Sequence, residues 1–497
     1  MNIDGTPIRM ETGVSGLDDI LSGGLPAGQM YLIEGDPGTG KTTIGMQFIM
    51  AGSKKGENSL YVTLSESLGE LGGSARSHGW NPKDIPIAEF IPEEASLSPE
   101  QQYTVFHPSE IELATTIQKL TELIEKEKPV RLVIDSLSEL RLLAADKMRY
   151  RRQLLALKHF FAGRDTTVLL LDDRTGEGDD MQLQSIAHGV IRLEKVPRSY
   201  GITRRHIEII KLRGSPYREG YHDYTIKKGG VQVYPRLVAH EHTTTFPAER
   251  VTSGISMLDK MFGGGINRGS ATLLLGPSGS GKSSLAMVYA YAAAQRGDRA
   301  IIYAFDETLR TAQDRAVGLA LPVREEIAKG TLAMTQVNPA ELSPGEFAWQ
   351  IRRDVETNDT RIVVIDSLNG FLMSMPGEQD LNLHLHELLA FLNQKGVVTI
   401  LIYTQHGLVG SMQTEIDVSY LSDTVVVLRY FEVEGEIRQA ISVIKQRVGQ
   451  HERALRELCM SNSGVEIGEQ LTEFRGILTG VPEPLSLERF SQSIEAK

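Results

Sequence analysis

The chain has 497 residues, a single cysteine and a formal net charge of −12. The lone Cys459 excludes an internal disulfide framework and a zinc ribbon, and the acid excess argues against a chain built to lie on duplex DNA. No stretch approaches the roughly 20 apolar residues of a membrane span. Met1–Met10 has no apolar core flanked by basic residues, so a soluble, cytoplasmic protein of two or three domains is expected.

In chain order, ETGVSGLDDIL (11–21) leads into an apolar β run, Tyr31–Glu34, and a glycine-rich turn, GDPGTGKTT (35–43). The turn fits GxxxxGK[ST]. Its glycines let backbone N–H groups turn inward around phosphate oxygens, and the following helix adds its positive N-terminal end. Gly38, Thr39, Gly40, Lys41, Thr42 and Thr43 are the expected phosphate cradle. Lys41 reaches the β/γ-phosphates, and the Thr42 hydroxyl completes a Mg²⁺ shell. A second β run, Leu60–Leu64, is followed by Glu66, a candidate for orienting or deprotonating an attacking water. A third run ends in Asp135, whose carboxylate is placed to hold Mg²⁺ through water. A fourth run covers Thr167–Asp172. Thr203–Leu212 reads as an antiparallel hairpin strand closing the sheet edge. It leads into Lys211-Leu-Arg213, where alternation puts both cations on one face.

The pattern then recurs. TSGISMLDKMF (252–262) matches residues 11–21 at an offset of 241, and GPSGSGKSS (276–284) matches the first turn at the same offset. Gly279, Ser280, Gly281, Lys282, Ser283 and Ser284 are the second cradle. YAFDETL (303–309) resembles YVTLSES (61–67) and brings Asp306 and Glu307 to the catalytic-carboxylate position. VVIDSLN (363–369) resembles LVIDSLS (132–138) after a ten-residue slip and supplies Asp366. Val397–Thr404 is the fourth run, Thr424–Tyr430 a hairpin strand, and Lys445-Gln-Arg447 the second cation pair. A shared period of this length means two homologous domains, 1–241 and 242–497, with the junction near the polar stretch Ala239–Arg250. Alternating β runs and helical segments predict an α/β fold in each, with a mostly parallel twisted sheet flanked by helices.

With these motifs in view, the chain resembles the KaiC family of RecA-like P-loop ATPases over nearly its whole length. The resemblance rests on GLDDILSGGLPAG, GDPGTGKT, ARSHGW (75–80) and KLRG (211–214) in the first half. In the second half it rests on GPSGSGKSS, DSLNGF, SDTVVVLRYFEVEGEIRQAISVIKQR and HERALREL. It implies tandem RecA-like domains in a double-ring homo-hexamer with ATP between subunits, a slow ATPase in the first ring and autophosphorylation in the second. By motif position, Ser77, Lys211, Leu212, Arg213 and Ser215 would touch ATP in the first ring. Lys445, Gln446, Arg447, Gly449, His451 and Arg453 would do so in the second. A KaiB-like protein on the first ring is the partner the resemblance suggests.

Departures from the family pattern qualify this. Ser65-Glu66 lacks the leading carboxylate of the usual acidic pair, whereas Asp306-Glu307 keeps both charges. Ser419 occupies the first phosphoacceptor position, but Tyr420 replaces the threonine beside it. The tail after Gly480 is short, which argues against a KaiA-like activator. A RecA-type nucleic-acid motor is the competing class. Against it, residues 407–423 contain no Lys or Arg, and residues 172–180 hold one Arg among five acidic residues, so a pore lined by them would repel phosphates. The basic run Arg149, Arg151 and Arg152 is the one feature in its favour. An ATP-gated scaffold with little turnover is the third reading.

Overall fold

The computed structural model describes residues 8–90, 108–144, 146–174, 181–198, 200–373, 381–405, 419–479 and 483–484. The chain divides into two compact units, Met1–Arg236 and Leu237–Lys497.

The sheet of the first unit comprises β1 (Met30–Gly35), β2 (Ser59–Thr63), β3 (Ile87–Glu89), β4 (Arg131–Asp135), β5 (Thr167–Asp173), β6 (Gly189–Val196), β7 (Arg204–Leu212), β8 (Tyr221–Lys227) and β9 (Gly230–Tyr234). Its order is β9-β8-β7-β6-β1-β5-β4-β2-β3. Strands β3 to β6 across the centre are parallel, and β7, β8 and β9 extend the sheet antiparallel. The second unit repeats this with β10 (Ala271–Gly276), β11 (Arg299–Ala304), β12 (Leu332–Gln336), β13 (Thr360–Asp366), β14 (Val398–Thr404), β15 (Thr424–Val433), β16 (Glu436–Gln446), β17 (Arg456–Ser461) and β18 (Gly464–Gln470). Their order, β12-β11-β13-β14-β10-β15-β16-β17-β18, is the same topology.

The central strands are apolar on both faces because both faces are covered. In β1, Tyr31 and Ile33 enter one core cluster while Met30 and Leu32 enter the other. In β10, Leu274 faces one cluster while Leu273 and Leu275 face the other. The first P-loop helix, α1 (Lys41–Lys54), lies close on the sheet at Gly45. A Cβ there would stand 3.0 Å from Val133, 3.1 Å from Tyr61 and 3.2 Å from Leu171. Helix α2 (Leu68–Ser77) starts at a capping box in which Ser67 and Glu70 satisfy each other's backbone N–H groups.

Two sequence readings need correction. Neither hairpin strand closes a sheet edge: β8 and β9 lie outside Thr203–Leu212, and β16 to β18 lie outside Thr424–Tyr430. Thr424–Tyr430 begins β15, which pairs parallel with β10 on one side and antiparallel with β16 on the other. The match of Tyr61 with Tyr303 is also one residue out. Thr63 pairs with Asp135 and Ala304 with Asp366, so the counterpart of Tyr61 is Ile302. A one-residue shift on a strand moves a side chain to the opposite face, and the Tyr303 hydroxyl accordingly donates to Asp354 at 2.7 Å, away from the P-loop.

Candidate nucleotide sites

Each P-loop joins a central strand to a helix. In the first unit, β1 ends at Gly35 and α1 begins at Lys41. Gly38 and Gly40 take left-handed backbone angles, φ 77° and 97°, which favour glycine. A Cβ on Gly40 would also stand 2.7 Å from the Ile226 side chain. Gly40 caps α1 without a side-chain bond, which leaves the first N–H groups of the helix directed at the loop. The Thr39 hydroxyl donates to the Asp36 carbonyl at 2.8 Å, and the Tyr224 hydroxyl donates to the Thr39 carbonyl at 2.6 Å. Thr43 is buried, and its hydroxyl lies 3.5 Å from His78 Nε2.

Lys41 is buried. Its Nζ donates to the carbonyls of Gly35 at 2.7 Å and Asp36 at 3.0 Å, and it pairs with Asp173 at 2.7 Å. Thr42 Oγ1 donates to Asp135 Oδ2 at 2.8 Å, and the Tyr61 hydroxyl donates to the same oxygen. Burial pushes the Asp135 carboxyl up, while Tyr61, Thr42 and Lys41 pull it back. Glu66 is half-buried, and burial, then the neighbouring Asp135, Glu70 and Asp173, raise its pKa.

The second site is built alike. Gly279 and Gly281 have φ 76° and 94°. A Cβ on Gly281 would stand 2.0 Å from Met460 Cε. Lys282 Nζ donates to the carbonyls of Gly276 at 2.9 Å and Pro277 at 2.6 Å, and burial lowers its pKa to about 8. Ser280 and Ser284 are buried, and Ser280 Oγ has no partner among the described residues. Burial raises Asp366 to about 6, against a hydrogen bond from Ser283 that favours the ionised form. Asp306 accepts from Ser367 Oγ. Glu307 is held by Arg315 in a two-pronged pair at 2.6 and 2.7 Å. The peptide bond after each metal-position aspartate, Asp135 and Asp366, is cis.

The remaining sequence candidates fall into two places. Ser77 ends α2, where its hydroxyl donates to the Ser74 carbonyl at 2.7 Å, one residue from the His78 that approaches Thr43. Lys211, Leu212 and Arg213 lie at the other end of the sheet. Arg213 N–H donates to the His188 carbonyl and His188 N–H to Met30, the first residue of β1. The P-loop opens at the opposite end of that strand, about 16 Å further on at roughly 3.3 Å per residue. Arg447 repeats the arrangement, donating to the Asp423 carbonyl while Asp423 donates to Ala271, the first residue of β10. Neither cation pair therefore reaches its own P-loop.

Lys211 Nζ donates to the Gln184 carbonyl and Arg213 to Ser185 at 3.0 Å. Burial, then Arg213 and Lys158, lower the Lys211 pKa. Leu212 is buried, and Ser215 accepts from Arg9 at 2.7 Å. In the second unit, Lys445 donates to Ser422 at 2.9 Å, Gln446 to Val448 at 3.0 Å and Arg447 to Tyr420 at 2.7 Å. Gly449 has φ 90°, and a Cβ there would stand 2.6 Å from Arg250. His451 Nε2 is buried without a partner among the described residues, and Arg453 is exposed. Ser419 begins a short 3-10 turn, Ser419–Leu421. Its side chain lies outside the described residues, as do 406–418, 175–180 and the tail from Gly480 apart from 483–484. Asp173, Tyr61 and Tyr224 were not among the sequence candidates. Only strand register brings them to the loop.

Two nine-stranded, mostly parallel sheets, each carrying a P-loop between its central strand and a helix, define tandem RecA-like P-loop domains. The family model for the KaiC ATPase matches residues 10–238 and again 251–472, and the chain belongs to the KaiC family. It is 28% identical to the circadian clock oscillator protein KaiC of Parathermosynechococcus lividus, over 98% of this chain and 92% of that protein. It is 27% identical to the KaiC of Synechococcus elongatus, strain PCC 7942, over 97% and 93%. It is also 27% identical to the circadian clock protein KaiC3 of Synechocystis, over 95% and 94%. No helix among the described residues is long and apolar enough to cross a membrane.

Proposed function

We propose that each unit hydrolyses ATP, with Mg²⁺, at a site completed by the neighbouring copy in a homo-hexameric double ring, and that the second ring transfers phosphate to Ser419. The observation that carries this reading is the placement of both cation pairs at the end of the sheet away from their own P-loop. Cations so placed complete a site only by facing another copy's phosphates. Head-to-tail contacts of this kind generate closed rings when the rotation closes.

The donor sets fit the nucleotide and the metal. Lys41 and Lys282 lie among loop carbonyls, and the buried Ser280 hydroxyl in the second loop has no partner among the described residues. Thr42 with Asp135, and Ser283 with Asp366, would hold Mg²⁺, which when bound offsets charge on the β- and γ-phosphate oxygens. Glu66 in the first site, and Asp306 with Glu307 in the second, are the carboxylates placed to take a proton from the attacking oxygen. In the second site Arg315 engages Glu307, which leaves Asp306, bonded by Ser367 and in no ion pair among the described residues, as the carboxylate to act as base.

The phosphoacceptor reading has its own support. Arg447 and Lys445 hold the carbonyls of Tyr420 and Ser422, so the turn that Ser419 begins is tied to the cations that would face a neighbour's γ-phosphate. Family membership alone supports a role in timing and a KaiB-like partner on the first ring. Mass spectrometry after incubation with Mg·ATP is the test. Hexamers and a Ser419 phosphate absent from Ser419→Ala are expected. Hexamers without phosphate reduce the assignment to an ATPase or a scaffold.

A further inference from the structure

The two P-loop lysines stand in different electrostatic surroundings. Strand β1 pairs with β5 so that Gly35 faces Asp173, and β10 pairs with β14 so that Gly276 faces Thr404. These positions are equivalent, and one carries a carboxylate where the other carries a hydroxyl. Lys41 Nζ lies 2.7 Å from Asp173 Oδ1, with the lysine 7% and the aspartate 29% exposed. Lys282 enters no ion pair among the described residues and donates to loop carbonyls. Its lowered pKa is what burial without a close counter-ion produces.

An ammonium has three protons. At Lys41 two go to the carbonyls of Gly35 and Asp36, and the third goes to Asp173. A phosphate oxygen that binds Lys41 must displace one of these three acceptors, and the carboxylate is the one whose negative charge competes with it. The displaced Asp173 then faces a polyanion, alongside Asp135 and Glu66, with no cation of its own. Arg141 cannot relieve it, because that guanidinium is already paired with Asp172. At Lys282 a phosphate displaces no carboxylate.

We propose that Asp173 is a positioning residue of the first nucleotide site: it holds Lys41 as an internal counter-ion, competes with incoming ATP, and lowers the affinity of that site. This rests on the P-loop reading above and distinguishes two sites whose motifs are the same.

The test is equilibrium dialysis of the full chain against radiolabelled ATP with Mg²⁺. In a Lys282→Ala background only the first site binds. There Asp173→Thr and Asp173→Asn are expected to tighten ATP by about tenfold, since they remove a close like charge from a half-buried site. In a Lys41→Ala background, Thr404→Asp is expected to weaken the second site by about the same factor. A purely structural role for Asp173 would weaken binding on substitution, so a gain is the diagnostic result. Unchanged or weaker binding in both Asp173 variants overturns the proposal. The Lys41→Ala, Lys282→Ala double variant is the control: ATP retained there defeats the P-loop reading itself, whatever Asp173 does.

Discussion

Arg447 meets Asp423 twice: its backbone N–H donates to the Asp423 carbonyl at 2.9 Å, and its guanidinium lies 3.4 Å from the carboxylate. The same carboxylate accepts the N–H of Ala271 at 2.9 Å. Asp423 thus ties Arg447 to the start of the central strand, so the cation that the proposed ring would offer to a neighbour is held from the sheet as well as from the Ser419–Leu421 turn. With the first site silenced by Lys41→Ala, Arg447→Ala is expected to lower turnover at least about 100-fold. Asp423→Ala, which removes the carboxylate but leaves the bond from Arg447 to the Tyr420 carbonyl, is expected to cost less, about tenfold, mainly in kcat. Equal losses in the two variants would contradict the positioning role of Asp423.

The second site has opposed proton requirements. Phosphate binding needs Lys282 protonated, and burial lowers that lysine to about 8. Metal binding needs Asp366 ionised, and burial raises that carboxyl to about 6. Affinity for Mg·ATP should therefore fall as pH drops below about 6 and fall again as it rises above about 8. Calorimetric titration across this range, in the Lys41→Ala background, is expected to give a bell-shaped profile.

How much of these sites was legible depended on whether the chemistry was local in sequence. Lys41 and Lys282 announce themselves within eight-residue motifs, and Asp135 and Asp366 end apolar runs. Asp173 did not, because its relation to Lys41 reaches across β2, β3 and β4 to the end of β5 and exists only through the β1–β5 register. Tyr61 was misaligned with Tyr303 because like residues lie one position apart on strands, where a single step reverses the face. The outer strands escaped for another reason. Ile87–Glu89 is three residues long, and Tyr221–Lys227 mixes His222, Asp223 and Thr225 with its apolar residues, so neither carries a clear period. The cation pairs were legible as residues, but the end of the sheet they occupy was not.

Gly45 tests the packing of the first P-loop helix. Its counterpart at the 241-residue offset is Ala286, which is buried in the second unit. The first unit has no room for that methyl, with three side chains within 3.2 Å of the added carbon. Gly45→Ala is expected to destabilise the first unit by about 1–3 kcal/mol, read as a lower Tm. Ala286→Gly should produce no comparable overpacking.

His222 makes the first unit acid-sensitive. Its Nδ1 accepts the Arg236 N–H at 2.9 Å and its Nε2 lies 3.1 Å from the Arg218 carbonyl, so the neutral ring satisfies both. Burial lowers its pKa to about 4. A histidine held neutral in the fold contributes stability above its unfolded pKa of about 6.5. That contribution is lost as pH falls from about 6.5 to about 4, and amounts to about 3 kcal/mol at most. Urea unfolding at pH 7 and pH 4.5 should show the loss, and His222→Gln should reduce the difference between the two.

The central claim is that each site is completed by a neighbouring copy, and subunit mixing tests it most directly. One variant, Arg213→Ala with Arg447→Ala, keeps both P-loop lysines. The other, Lys41→Ala with Lys282→Ala, keeps both cation pairs. Each alone should be inactive. In co-expressed mixed hexamers, verified by native mass spectrometry, about a quarter of the interfaces join an intact P-loop to intact cations, and turnover should recover to about that fraction. Mixed hexamers that stay as inactive as either parent would contradict completion in trans.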